Sequence, residues 1–300
     1  MTYSIVARCP DTGQMGVAVQ SHFFAVGAVV PWLKAGVGAV ATQATAEIAH
    51  GPDTLDRLRA GSSPADAIAA VLAPDEHADT RQLAAVDSSG KAAAHTGSSC
   101  IAAAGHVVGD GFTVQANMMA RPGVPDAMAA AFRSSSGALA LRLVDALDAA
   151  QAAGGDIRGQ QSASLMVVDS VRSERSGHDQ LVDVRVDDHL YPLVEIRRLV
   201  GLSVAYRRLD DAEAAMSEGD LDAALAIYKE SIEQQPSQIE FPFWEAVMLA
   251  GLGRYSDARA AAAPVFTGVN GNGWRELVRR LPDAGILDQA GATELLDPQP

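Results

Sequence analysis

The chain has few of the features by which sequences commonly reveal their chemistry. Only two of its 300 residues are cysteines, Cys9 and Cys100, which excludes a disulfide scaffold and any CxxC motif. The seven histidines form no HExxH or HxH pair, so no tightly bound metal ion is expected. No GxGxxG follows a predicted strand, and neither a GxSxG elbow nor a Ser-His-Asp order is visible. We therefore expect no cofactor.

Basic residues are also scarce. Lys and Arg number 23 against 37 Asp and Glu, a net charge of −14. Nucleic acid and anionic membranes are recognised by clustered cations, so neither is expected as a partner. The most apolar stretch, residues 23–41, contains Pro31, Lys34 and three glycines, which favours paired strands over a membrane helix. No basic segment followed by an apolar one opens the chain, so we expect no secretory signal and a cytoplasmic location.

The length and apolar content indicate two domains. Three hundred residues correspond to about two average domains, and 48% hydrophobic residues suffice for one large core and a smaller one. Through residue 195, strand pairs alternate with helices, which predicts a layered α+β domain of antiparallel sheets between helices. Strands are predicted at 2–7, 14–20, 28–30, 37–42, 83–86, 91–95, 112–117, 162–169 and 181–187. Helices are predicted at 63–72, 124–133 and 137–152.

Residues 196–300 show an almost purely helical pattern. Gly219 and Gly253 stand 34 residues apart, and alanine follows each glycine five residues later. This spacing resembles the tetratricopeptide repeat and predicts an all-α helical-repeat module. Two repeats are fewer than the three usually needed for stability, so apolar helix faces should need cover. We therefore expect a homo-oligomer through or near this module, with Trp244, Leu249 and Phe266 among the contacts.

Polar residues inside otherwise apolar segments are the candidates for a functional site. They occur at Thr2 and Ser4, in 20–22, at Thr42 and Gln43, in 115–117, and in the glycine-rich segment 154–162. Each has a structural alternative. Thr2 and Ser4 are also ordinary strand residues, and Ser21, Gln43 and Asn117 could bond backbone groups. His22 could be structural, and Asp156 and Arg158 could form a surface ion pair.

In order along the chain, these segments resemble the motifs of a bacterial and archaeal family, domain of unknown function 1028. The resemblance covers about residues 2 to 195, and Ala116 stands where the family pattern suggests glycine. A helical extension like the one here also occurs in the family. The segments that carry the resemblance are 3–8, 16–21, 25–27, 36–43, 95–97, 115–119 and 155–163.

The resemblance implies an N-terminal-nucleophile (Ntn) hydrolase-like fold, an αββα sandwich with two antiparallel sheets. In the mechanism usual for that fold, an N-terminal Thr, Ser or Cys attacks a carbonyl while its own α-amine serves as base. Thr2 fits this role once Met1 is removed. An α-amine has an ordinary pKa of about 7.7–8.0, so part of it is neutral near pH 7.

The leading hypothesis is an amidohydrolase that cleaves a small amide or ureido C–N bond. Thr2 is assigned as nucleophile and base, with Gln43 and Asn117 as hydrogen-bond donors to the oxyanion or the substrate. The residues assigned to binding the small-molecule substrate are Ser21, His22, Asp156, Arg158 and Gln161. The alternative is a non-catalytic binding or scaffold protein that keeps the pocket without the chemistry.

Overall fold

Two antiparallel sheets form the centre of the first structural unit, which ends at Gly201. The computed structural model describes residues 2–175 and 177–297. The strands are β1 Thr2–Arg8, β2 Met15–Ser21, β3 Pro31–Lys34, β4 Gly38–Ala44, β5 Arg81–Asp87, β6 Ala92–Thr96, β7 Gly105–Gly109, β8 Phe112–Asn117, β9 Ser162–Val168 and β10 Gln180–Val186. Their order is β10-β9-β2-β1-β8-β7 in one sheet and β3-β4-β5-β6 in the other. The prediction of an α+β domain with antiparallel sheets is confirmed.

Two helices contact each of the sheets. The helices α1 His50–Arg59 and α2 Pro64–Leu72 contact the four-stranded sheet. On the six-stranded sheet lie α3 Val124–Ser134 and α4 Leu139–Ala152. Ser63, followed by Pro64 and Asp66, is a sequence signal for a helix start, and the start of α2 agrees with it, because the Ser63 hydroxyl accepts a hydrogen bond from the Asp66 N–H at 3.2 Å.

The alternation of residues along β1 and β2 decides which face meets which layer. One face joins an apolar core between the sheets, formed by Val6, Met15, Val17, Val19, Ala39, Ala41, Ala84 and Val86. The other face packs on α4. A Cβ atom at Gly16 would lie 2.6 Å from Cδ1 of Leu143, so the close approach of this helix requires glycine.

Three elements differ from the sequence-based expectation. The strand expected at 28–30 lies later in the chain. Val26–Ala28 forms a 3-10 turn, so the strand, β3, begins only at Pro31. Helix α1 and strand β7 were not predicted. Pro52 is typical of a loop and therefore argued against a helix here. It lies in the first turn of α1, where a missing N–H costs no hydrogen bond.

The second unit begins at Leu202 and is helical, as predicted. Its helices are the C-terminal part of α5 Pro192–Glu218, then α6 Leu221–Gln234, α7 Glu240–Gly251, α8 Tyr255–Thr267, α9 Gly271–Arg280 and α10 Gln289–Leu296. The domain boundary expected after residue 195 therefore falls inside a continuous helix. No helix in the described ranges is long and apolar enough to span a membrane.

The apolar residues that suggested an oligomer are packed inside this helical unit. Leu249 is buried in its core, and Trp244 and Phe266 pack against the same cluster. These side chains therefore do not need a partner subunit to cover them. Self-association and the tetratricopeptide character of the module stay predictions.

Candidate functional site

A row of polar side chains crosses one end of the six-stranded sheet. Ser162, Ser21, Thr2 and Asn117 lie opposite one another on four adjacent strands, and all are buried. Residues directly opposite in antiparallel strands point to the same side of a sheet. That side faces the other sheet, because Ser4, two residues along from Thr2, donates a hydrogen bond to Gln43 of β4 at 2.7 Å.

A second polar row, on the four-stranded sheet, meets the first. Gln43, Gln82 and Thr96 lie opposite one another on β4, β5 and β6. Oε1 of Gln82 accepts hydrogen bonds from Gln43 at 2.7 Å and from Asn117 at 2.9 Å. Nε2 of Gln82 donates to Oγ1 of Thr96 at 2.9 Å and to the carbonyl of Ala116 at 3.0 Å. Gln82 thus joins the two sheets through a buried amide network.

Ser4 belongs to this network. Its hydroxyl donates to Oε1 of Gln43 at 2.7 Å and accepts from Nε2 of Gln115 at 2.5 Å. The geometry is that of a structural hydroxyl, since both partners are buried amides that depend on it.

Thr2 occupies the edge of the network and borders a cavity. Its Oγ1 donates to Oγ of Ser21 at 3.1 Å, and its carbonyl oxygen accepts longer bonds of 3.4 Å from Gln43 and Asn117. Met1 lies outside the described residues. The cavity measures about 290 Å³ and is lined by Thr2, Ser21, Phe23, Val26, Val29, Val30, Gln43, Ala44, Ala46 and Ile48.

Backbone strain is concentrated beside this cavity. Of the four described non-glycine residues with positive φ, Ala44 directly follows Gln43 and Met118 directly follows Asn117. A third, Ala25, lies between the lining residues Phe23 and Val26. Such conformations cost about 1–3 kcal/mol each and cluster at functional sites. They therefore mark this end of the sheets as the candidate site.

The segment 154–162 is bound to the same end of the six-stranded sheet. Asp156, whose side chain is enclosed, accepts hydrogen bonds from the His22 N–H at 3.2 Å and from Nη2 of Arg158 at 2.9 Å. The Ile157 N–H donates to the carbonyl of Met118 at 3.3 Å. The Asp156–Arg158 pair is thus half buried rather than a simple surface pair, and neither residue lines the Thr2 cavity.

His22 and Gln161 border a second cavity instead. It measures about 590 Å³, and Nε2 of Gln161 donates to Asp188 across its wall at 3.1 Å. Nδ1 of His22 is buried and makes no hydrogen bond within the described part of the chain. The structure therefore brings Thr2, Ser21, Gln43 and Asn117 together and places His22 and Gln161 beside them in a separate cavity.

A buried ionic cluster holds the segment that covers the Thr2 cavity. Nη1 of Arg81 donates to the carbonyl of Thr45 at 2.6 Å, one residue before the lining residue Ala46. Asp75 accepts from Nε of Arg81 and lies equally close, at 2.8 Å, to Nε2 of His50. Arg81 and, to a smaller extent, His50 hold the pKa of the Asp75 carboxyl well below its ordinary value.

Asp75→Asn is expected to destabilise the fold by about 3 kcal/mol, because it leaves the buried Arg81 charge without its partner. The contribution of Asp75 is complete above about pH 3.9, its unfolded-state pKa, and is lost as the pH falls towards the lower folded-state pKa. Urea unfolding at a series of pH values should show the parent and variant converging in acid. Asp56→Asn, at an exposed pair, is the control and should change stability by less than about 0.5 kcal/mol. A constant difference down to about pH 2 would contradict the assignment.

Sequence reasoning missed Gln82 and Thr96 as members of the site, and it included Ser162 only as the end of the candidate segment 154–162, without a role. Gln82 carried the same signal as Gln115, a polar residue in an apolar strand, but it lies one residue before the predicted strand 83–86. Thr96 and Ser162 stood at strand ends, where a hydroxyl is common and carries little information.

The fold and site define an α+β protein with two antiparallel sheets and a buried polar site between their ends. The model of a family of unknown function (DUF1028) matches residues 2–196, and the chain belongs to this family. It is similar to a family member of known crystal structure from Silicibacter pomeroyi, with 34% identity and a TM-score of 0.60 over 66% of this chain and 84% of that one.

A second solved structure shows a distant likeness. Anbu (ancestral beta-subunit) from Yersinia bercovieri is 13% identical, with a TM-score of 0.30 over 68% of this chain and 95% of that one. No curated protein matches the chain. The family match ends at residue 196, so the helical unit from Leu202 onward lies beyond it.

Proposed function

We propose that this protein is an N-terminal-nucleophile amidohydrolase that cleaves a small amide or ureido C–N bond, with Thr2 as nucleophile. The observation that carries the proposal is the position of Thr2. It is the first residue of β1, is buried between the sheets and borders a cavity. A residue that supplies both hydroxyl and α-amine must begin the mature chain and still reach the substrate, and the cavity beside Thr2 supports the second requirement. Helices on the outer faces of both sheets would complete the αββα sandwich.

The proposed reaction has two steps. After loss of Met1, the α-amine of Thr2 takes the hydroxyl proton while Oγ1 attacks the substrate carbonyl. The resulting α-ammonium group passes this proton to the substrate nitrogen, and the C–N bond breaks as the product amine leaves. Water then attacks the resulting ester, releases the acid and restores the Thr2 hydroxyl. The Ser21 hydroxyl, which accepts from Oγ1 of Thr2 at 3.1 Å, acts as a positioning residue that holds the nucleophile in its rotamer.

Gln43 and Asn117 are the proposed donors to the oxyanion. Each forms a short hydrogen bond to Gln82 and a longer one, 3.4 Å, to the Thr2 carbonyl. The longer bond is the weaker one, so it is the contact that a substrate oxygen would replace. Donors held in place by a buried network need little reorganisation as charge develops.

The walls of the Thr2 cavity suggest the class of substrate. Among the described residues, every lining residue apart from Thr2, Ser21 and Gln43 is apolar, and none is charged. A neutral apolar acyl group would fit this surface, whereas a carboxylate would be left without a partner. We propose that the polar end of the substrate extends towards the second cavity, where His22 and Gln161 would bind it. Asp156, which accepts a hydrogen bond from the His22 N–H, and Arg158 lie outside the walls of both cavities and would support His22.

Acyl p-nitroanilides test this proposal, after intact-mass measurement of the N-terminus. The phenylacetyl compound should exceed the acetyl compound about tenfold in kcat/KM, and the glutaryl compound should not react. Ile48→Ala at the cavity wall should reduce the phenylacetyl advantage by removing apolar contact. Ile101→Ala is the matched control, since Ile101 is also exposed but lies outside the cavity. If a chain that begins at Thr2 hydrolyses none of these compounds, the proposal is overturned.

The second candidate function is a non-catalytic small-molecule-binding protein. One observation favours it, namely that the amide groups of Gln43 and Asn117 are already hydrogen-bonded within the protein. Retention of Met1, together with saturable binding of the phenylacetyl amide without turnover, would support this alternative, because a blocked α-amine cannot act as base.

A further inference from the structure

A cavity of about 680 Å³ lies within the helical unit, apart from the Thr2 site. Its volume is in the range of small-molecule sites in proteins, roughly 300–1,000 Å³. One face of α5 contributes Tyr206, Leu209, Asp210, Glu213 and Met216, at helical spacing. The remaining walls come from Tyr228, Glu240, Trp244, Val247, Met248, Gly251, Leu252 and Ile286.

The walls combine aromatic rings with carboxylates. In the part of the chain that the structure describes, three aromatic side chains and three carboxylates line the cavity, and no Lys, Arg or His does. Both oxygens of Glu240 are engaged, one by the Tyr206 hydroxyl at 2.5 Å and the other by Nε1 of Trp244 at 3.3 Å. The Tyr206 hydroxyl and the Trp244 ring N–H are therefore both held against this carboxylate.

Tyr228 supplies a polar contact for a ligand. It is only 5% exposed and lines the cavity, and its phenol oxygen can accept a hydrogen bond from a group inside the cavity. Burial, with smaller effects of Glu213 and Glu245, raises the pKa of Tyr228 to about 12, so the phenol stays neutral and its surroundings are negative.

We propose that this cavity binds an organic cation, an ammonium or guanidinium group attached to an apolar body. The faces of Tyr and Trp rings attract cations, and Asp210 and Glu213 add negative charge at the rim. The Tyr228 oxygen would accept a hydrogen bond from the cationic N–H. Met216 and Met248 would cover the apolar body with adaptable thioether side chains.

Isothermal titration calorimetry on the full chain with 2-phenylethylammonium chloride tests the proposal, with 2-phenylethanol and 3-phenylpropionate as neutral and anionic comparisons. The cation should bind at least tenfold more tightly than the alcohol, and its affinity should fall as salt is added. The anion should not bind. Equal affinity for the cation and the alcohol, or no saturable binding of the cation, would overturn the proposal.

Matched variants assign the binding to this cavity. Tyr228→Phe removes one hydroxyl and should weaken cation binding about tenfold, as expected for a hydrogen bond to a charged group. Tyr255→Phe, in the same unit but outside the cavity, should leave it unchanged. Glu213→Gln should weaken binding severalfold, while Glu218→Gln on the same helix should not. Circular dichroism would show that each variant is folded, and an unaltered affinity in folded Tyr228→Phe would place the ligand elsewhere.

Discussion

Thr2→Ala should abolish amide hydrolysis, with kcat/KM reduced roughly a thousandfold or more, because it removes the only group proposed to attack the carbonyl. The fold should survive. The Thr2 hydroxyl donates a single hydrogen bond, to Ser21, and its loss should lower the free energy of unfolding by about 1 kcal/mol. Turnover of the phenylacetyl anilide and urea unfolding measure the two effects separately.

Three comparisons isolate the role of Thr2. Thr2→Ser keeps both hydroxyl and α-amine and should retain part of the activity, while Thr12→Ala, at an exposed turn, should retain all of it. A residue left in front of Thr2 should reduce activity as much as Thr2→Ala does, since it converts the α-amine into an amide that cannot act as base. In the parent, kcat/KM should rise with pH as the α-amine deprotonates, near pH 7.7–8.0 for an ordinary amine. Hydrolysis by Thr2→Ala at the parent rate would disprove the mechanism, and Ser21 would then be tested.

Gln82→Leu should produce the largest loss of stability, about 3 kcal/mol or more. The change removes the oxygen that accepts from both Gln43 and Asn117, so these two buried amide donors keep only bonds of 3.4 Å. Loss of the main partner of a buried group costs about 1–3 kcal/mol. Thr96 and the carbonyl of Ala116 lose a donor in the same step. The midpoint of urea unfolding measures the effect.

The control for this experiment is Gln180→Leu. Gln180 is exposed on the outer strand β10, where water replaces its bond to Asp183, so the midpoint should hardly move. If Gln82→Leu unfolded at the same urea concentration as Gln180→Leu, the amide network would not be the element that joins the two sheets at this end.

The family, the α+β class and most elements of this protein follow from local sequence. Alternation in β1 and β2 assigns the two faces of each strand, and the Ser63 signal fixes the start of α2. Gln43 was recognisable because an apolar strand has no local reason to carry it, whereas Thr2 is also an ordinary strand residue and was assigned its role through the family resemblance. The burial of Leu249 was not recognisable, since repeat counting says nothing of how the remaining helices pack.

Only the tertiary structure decided how these residues meet. Thr2, Ser21 and Asn117 share one row because of strand register, and a slip of one residue would turn every side chain to the opposite face. The stacking of the sheets then placed Gln82 where it bonds residues distant in sequence, a contact that no local pattern encodes. The sequence by itself therefore determined which groups are available, and long-range pairing decided which of them form a site.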